Sequence, residues 1–160
     1  MDKFKERVAK NFSEKAQNYS NLAVTQKLIA ASLLEFSKGH IQRSDKILDL
    51  GCGPGTLGNI MKGYDLTQLD IAEGMCVLAA KNGYKTIIAD MENIPMPDNS
   101  FDIVLSSMTL QWANDISEAI KEIKRVLKSG GKACFSLLLD DSFSEFKKNT
   151  SLAKSFNKYF

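Results

Sequence analysis

Apolar residues recur at helical spacing over residues 2–19, where Phe4, Val8, Phe12, Ala16 and Tyr19 share one stripe, so an amphipathic helix is predicted. Residues 22–36 predict a second helix, with Leu22, Thr25, Ile29 and Leu33 or Leu34 on one face and Gly39 just past its end. From residue 46 the texture changes. Short apolar runs at 46–50, 66–70, 86–89, 101–106 and 133–139 predict five strands. Helical stretches lie between them: a short one ending at Lys62, then 73–81 and 116–127, stopped by Gly63, by Asn82-Gly83 and by Ser129-Gly130-Gly131. A last helix is predicted from Phe143 onward. Alternating strands and helices, with strands apolar nearly throughout, indicate an α/β fold: a doubly wound, mostly parallel sheet covered on both faces. Such sheets bind ligands beyond the carboxyl ends of their strands, which directs the search to positions just after 50, 70, 89 and 106.

At 160 residues, 44% hydrophobic and 25% charged, the chain is long enough for one domain with a core of its own. The longest apolar run, Ala133 to Leu139, is far short of the roughly 20 residues of a membrane span. Met1 to Arg7 has no apolar segment behind it, so no signal peptide is expected. Cys52, Cys76 and Cys134 are odd in number and lack C-x-x-C spacing, which argues against a disulfide framework or a metal site and for a reducing, cytoplasmic setting. The single histidine, His40, lies in a Ser-Lys-Gly-His turn and reads as a surface residue. Charge is unevenly spread. Residues 1–48 carry 9 Lys/Arg against 5 Asp/Glu, residues 49–120 carry 3 against 10, and residues 121–160 carry 9 against 4. An acidic middle suits a cationic ligand, and basic flanks suit an acidic partner. No basic cluster interleaved with aromatics points to nucleic acid.

The chemistry concentrates after the first strand, in Asp49-Leu50-Gly51-Cys52-Gly53-Pro54-Gly55-Thr56. Glycines at alternate positions let a ligand approach bare backbone. Gly53 to Gly58 also satisfies G-x-G-x-x-G with Asp70 downstream, so a dinucleotide and hence an oxidoreductase is formally open. Two features favour another ligand. Pro54 removes an N–H that a pyrophosphate would use, and Asp49 repels phosphate while suiting a cationic amino group.

Asp49-x-Gly51-x-Gly53-x-Gly55 followed by Asp70 resembles the cofactor motifs of class I S-adenosylmethionine-dependent methyltransferases. The resemblance implies a Rossmann-like methyltransferase sheet with N-terminal helices: a helical cap over 1–43, a cofactor-binding core over 44–139 and a C-terminal helix over 140–160. It implies S-adenosylmethionine as cofactor. Asp49, Gly51, Cys52, Gly53 and Gly55 would lie along the methionine part, and Asp70 on the ribose hydroxyls. Asp90 and Met91, with Ile71 and Met75, would lie at the adenine. Ser106 and Leu110 belong to the same cofactor side.

Asn11-Phe12-Ser13-x-x-Ala16-x-x-Tyr19 with Gln26, Ser106 to Trp112 with Asp115, and Phe135-Ser136-Leu137-Leu138 are similar to the biotin-pathway enzymes that methylate malonyl-[acyl-carrier protein]. That similarity implies O-methylation of a carboxylate, with Tyr19 and Trp112 closing the pocket. The partner would be a malonyl-loaded acyl-carrier protein, or a small carboxylate substrate, and the basic flanks offer Lys3, Lys5, Arg7 and Lys10, or Lys121, Lys124 and Arg125, to an acidic carrier. Neither membrane nor nucleic acid is implied. Family members continue past the fifth strand through a final hairpin that this sheet would lack. The fifth strand is then expected as an open edge, a candidate homodimer contact. A cofactor-binding protein with little or no turnover, and a methyltransferase for another small-molecule acceptor, stay open as alternative readings.

Overall fold

The computed structural model describes residues 3–22 and 24–137, and within the first helix the side chains of residues 3–16. The predicted C-terminal helix, Leu138-Leu139 and the Tyr19 side chain lie outside the described residues. The element order is α1 (Lys3–Leu22), α2 (Val24–Ser37), β1 (Lys46–Leu50), α3 (Thr56–Ile60), β2 (Asp65–Asp70), α4 (Glu73–Ala79), β3 (Lys85–Ile88), β4 (Phe101–Ser107), α5 (Ile116–Val126) and β5 (Leu127–Ser136). All five strands pair in parallel in the order β3-β2-β1-β4-β5. The chain therefore winds outward from β1 to β3, crosses back to β4 and winds the other way. The reversal opens a crevice at the carboxyl ends of β1 and β4.

Two apolar layers follow from the strand period of two. Leu48, Leu50 and Val104 meet Ala119, Ile123 and Val126 of α5 on one face. Ile47, Leu66, Ile103 and Leu105 meet Ala30 and Leu33 of α2 and Leu57 of α3 on the other. A third cluster, Ala16, Ala72 and Met75 with Phe12, seats α1 on α4. Asp115 caps α5, accepting from the Ser117 N–H at 2.8 Å and the Glu118 N–H at 3.4 Å.

Helix faces depart from their sequence expectation in two places. In α2 the buried stripe is Ala30, Leu33 and Ser37, while Thr25 is exposed and Val24, Leu28 and Phe36 face outward. This helix is apolar on most sides, so periodicity alone does not choose a face. In α5 the buried set is Ala119, Ile123 and Val126, and Ile116 and Ile120 sit 49% and 40% exposed at its flank. The Ser129-Gly130-Gly131 stop is a register shift: Phe101 pairs with Leu127, but Ile103 already pairs with Lys132. Among the described residues, β5 pairs with β4 alone.

Candidate active site

The turn after β1 is tied to its neighbour strand, since the Gly51 and Cys52 N–H groups both donate to the Leu69 carbonyl, at 2.7 and 2.9 Å. The glycines that follow are of two kinds. Gly51 has φ +74°, and a Cβ there would lie within 2.5 Å of Thr109 Cβ. Thr109 Oγ1 in turn donates to the Gly51 carbonyl at 3.1 Å, joining the loops after β1 and β4. Gly53 also has positive φ, but a Cβ there would meet nothing within 4 Å and would stand in the cavity. Gly55 and Gly58 instead face inward. Side chains there would run into the Asn82 amide and the Gln68 amide, and Asn82 donates to the Gly55 carbonyl at 2.8 Å. The G-x-G-x-x-G match thus holds one cavity-facing glycine and two that make room for the Asn82 and Gln68 amides.

Asp49, the β1 residue just before this turn, is 1% exposed and lines the cavity. Among the described residues its Oδ2 has no hydrogen-bond partner. Burial first, and then the Asp70 carboxylate, push it up to about 8, with the neighbouring Gln68 amide opposing the rise. A buried, unpartnered carboxylate is costly as an anion unless a cation joins it. Asp70, at the end of β2, accepts from the Gly53 N–H at 2.8 Å through Oδ2 and from the Ala72 N–H at 2.9 Å through Oδ1. Burial raises its pKa and these backbone donors oppose the rise. One further lone pair on each oxygen stays available for a vicinal diol. This donor set fits a ligand with a cationic amino-acid end and a ribose.

On the far side, Ile71, Met75 and Met91 form an apolar wall beside Asp90. Asp90 Oδ1 accepts from the Glu92 N–H at 2.9 Å, and its Oδ2 accepts from Lys5 Nζ at 2.5 Å. Lys5 also meets Glu92 Oε2 at 2.7 Å, and Glu92 Oε1 accepts from the Asn114 N–H at 2.6 Å.

Helix α1 is the roof. Lys5, Val8 and Phe12 line the cavity at i, i+3 and i+7. Phe12 meets Trp112 edge-on, with ring centroids 5.4 Å apart and planes at 81°. The Gly74 N–H donates to Ser13 Oγ at 3.1 Å, and a Cβ on Gly74 would come within 2.8 Å of Ser13 Cα. Gly74→Val should therefore lift α1 off α4 at a cost of about 1–3 kcal/mol. Limited proteolysis should then cut within α1 several times faster than in the parent, while the sheet stays resistant.

Of the sequence-selected residues, the structure gathers Asp49, Gly51, Cys52, Gly53, Asp70, Ile71, Met75, Asp90, Met91 and Trp112 around one cavity. Three fall behind its wall. Gly55 packs on Ala79 and Asn82, Leu110 is in the α5-side core, and the buried Ser106 Oγ finds no partner among the described residues. Ser107 lines the cavity instead, with Met108 and Thr109. Two basic residues are reassigned. Lys5 is a cavity residue held by Asp90 and Glu92, not part of an outward patch. Arg125 binds Glu122, Asp98 and the Ile94 and Met96 carbonyls, so it fastens the 94–98 segment.

The pattern of the methyltransferase domain family matches residues 48–135. The malonyl-[acyl-carrier protein] O-methyltransferase of Buchnera aphidicola subsp. Baizongia pistaciae is 38% identical over 149 residues, covering 90% of this chain and 59% of that protein. The biotin biosynthesis bifunctional protein BioHC of Saccharophagus degradans is 35% identical over 152 residues, covering 90% of this chain and 27% of that one. This chain thus spans little more than half the length of the first relative. Among solved structures, a S-adenosylmethionine-dependent methyltransferase of Thermotoga maritima, described as a possible histamine N-methyltransferase, superposes with a TM-score of 0.70 at 25% identity over 86% of this chain and 66% of that one. A putative S-adenosyl-L-methionine-dependent methyltransferase of Methanococcus maripaludis gives 0.65 at 27% identity over 99% of this chain and 78% of that one. With the pattern match, the strand order and the solved S-adenosylmethionine-dependent methyltransferases in agreement, the chain belongs to the methyltransferase domain family, with S-adenosylmethionine as its cofactor.

Proposed function

We propose that the chain O-methylates a carboxylate, the free carboxyl of malonyl-[acyl-carrier protein] in biotin synthesis. The observation that carries the reading is the unpartnered Asp49 carboxylate beside the open Gly53 backbone, in a chain 38% identical to an enzyme of that name. Bound S-adenosylmethionine supplies a methyl group activated on a sulfonium. In this reading Asp49 faces the amino end, Gly51 and Gly53 offer bare backbone, Asp70 accepts from the ribose diol, and Asp90 with Met91 borders the adenine. A carboxylate acceptor is already ionised at pH 7, so no side chain has to act as a base. The work left to the protein is positioning and exclusion of water. In this reading Phe12 and Trp112 close the cavity with aromatic faces suited to a cation, a role the family resemblance also gives to Tyr19.

An acidic carrier suits the exposed side of α1, where Lys3, Arg7 and Lys10 stand at i, i+4 and i+7 on the helix that roofs the cavity. Lys121 and Lys124 on α5 give a second exposed basic site. The reading places the protein in the cytoplasm and lets two copies pair along the open β5 edge. The test is transfer of labelled methyl to malonyl-carrier protein, expected with the parent chain and lost with Asp49→Ala. No transfer at high enzyme concentration rejects the acceptor assignment.

A further inference from the structure

Helix α1 is fastened to the rest of the protein in two different ways. Its later part is seated by packing: Ala16 and Phe12 join Ala72 and Met75, and Phe12 meets Trp112 edge-on. Its early part is fastened by charge. Lys5 Nζ meets Asp90 Oδ2 at 2.5 Å and Glu92 Oε2 at 2.7 Å, with its side chain 13% exposed. Lys5 and Phe12 are seven residues apart, about 10 Å along the helix. The two carboxylates are themselves braced. Asp90 Oδ1 accepts from the Glu92 N–H, and Glu92 Oε1 accepts from the Asn114 and Asp115 N–H groups at 2.6 and 3.3 Å. One ammonium thus joins three segments: α1, the turn after β3, and the turn that leads from Trp112 into α5.

The place of these ion pairs matters as much as their strength. Lys5 is the one cation among the described residues that line the cavity. With Asp90 Oδ1 committed to the Glu92 N–H, Oδ2 is the oxygen that a nucleobase amino group would meet, and Lys5 covers it. The two fastenings also respond differently to solvent. Ion pairs part at little cost in apolar exposure and are screened by salt, whereas the Phe12–Ala16 seam parts only by exposing apolar surface. The charged end is therefore the end that opens, and the packed end is the pivot. We propose that Lys5 is the latch of the cofactor cavity: its pairs with Asp90 and Glu92 hold the early part of α1 down, and they must part before a ligand enters or leaves. The inference rests on the cofactor reading above and adds to it the group that governs exchange.

The kinetics follow. A latch that forms with and without ligand slows entry and exit alike, so removing it speeds both and leaves affinity nearly unchanged. The experiment is stopped-flow mixing with adenosylhomocysteine, read by the fluorescence of Trp112, the sole tryptophan and a cavity residue. The amino and carboxylate charges of this ligand cancel, so salt acts on the latch rather than on long-range attraction. In the parent, both rate constants should rise about threefold between roughly 0.05 and 0.5 M salt. In Lys5→Met, which keeps the length of the side chain and removes its charge, both should be about tenfold higher at low salt, and the salt effect should vanish. The dissociation constant should change by less than about threefold. Lys5→Gln should do the same and serves if the Met chain does not fold. Faster release with unchanged entry makes Lys5 an ordinary ligand contact, and unmoved rates or a persisting salt effect make it a packing residue; each overturns the proposal. Amide exchange of the ligand-free chain separates the two failures. If the parent binds no adenosylhomocysteine, the cofactor reading falls. Residues 7–11 must still exchange several-fold faster in Lys5→Met than in the parent, with β1 and β4 unchanged, and equal exchange rejects the latch.

Discussion

Asp49→Asn should stabilise the protein and disable it at once. Folded, Asp49 keeps its proton to about pH 8, whereas in the unfolded chain it releases it near pH 4. Between those values the folded state binds the extra proton. The parent therefore loses about 1.4 kcal/mol of stability for each pH unit gained across this window, and the slope vanishes above it. Asparagine does not titrate. Urea unfolding at pH 5, 6, 7 and 8 should show the variant pulling steadily ahead of the parent, with the gap levelling off beyond pH 8. Parallel curves would mean that Asp49 does not titrate in the folded protein as its burial requires. Adenosylhomocysteine binding should move the other way. A hydrogen bond to a charged partner contributes about 1.5–3 kcal/mol, so affinity should fall by about 10- to 100-fold at pH 8 and lose its pH break. The site holds a destabilising acid because the ligand needs it.

The second large effect separates two glycines that look alike in the sequence. Gly51→Ala must hold an L residue at φ +74°, costing about 1–2 kcal/mol, and must displace Thr109, costing about 1–3 kcal/mol more. Because Thr109 joins the β1 and β4 loops through the Gly51 carbonyl, the damage should reach the fold itself. Chemical denaturation should show a loss of about 2–5 kcal/mol. Gly53→Ala meets no atom within 4 Å and carries only the backbone cost of about 1 kcal/mol. Its methyl group projects into the cavity, so ligand affinity should fall by more than about tenfold while the unfolding midpoint moves much less than in Gly51→Ala. Equal stability losses in the two variants would contradict the different surroundings of these residues.

The five parallel strands and most of the cavity were legible because they depend on local signals. Alternating apolar runs and glycine stops mark the strands. The paired acids Asp49 and Asp70 stand at strand ends, where an α/β sheet must bind its ligand. Less legible was whatever depends on which side of an element meets a neighbour. Helix α2 carries apolar residues nearly all round, and only the position of β4 and β5 beneath it selects Ala30 and Leu33. Ser106 and Ser107 are adjacent in sequence, but the pleat sends one into the core and the other to the cavity. Lys5 and Arg125 read as surface charge because their partners, Asp90, Glu92 and the 94–98 segment, lie tens of residues away.

The crossing back from β3 to β4 has a kinetic side. Neighbours β1, β2 and β3 are joined by short connections, whereas β1 meets β4 only after a loop of about fifty residues closes, at an entropy cost that local pairings do not incur. The cavity straddles that seam: the acids assigned to the nucleoside come from the first three strands, while Ser107, Met108, Thr109 and Trp112 complete the wall only after the crossing. Ligand added during refolding should leave the formation of the first three strands unhurried and be held tightly only by molecules in which the two halves have met.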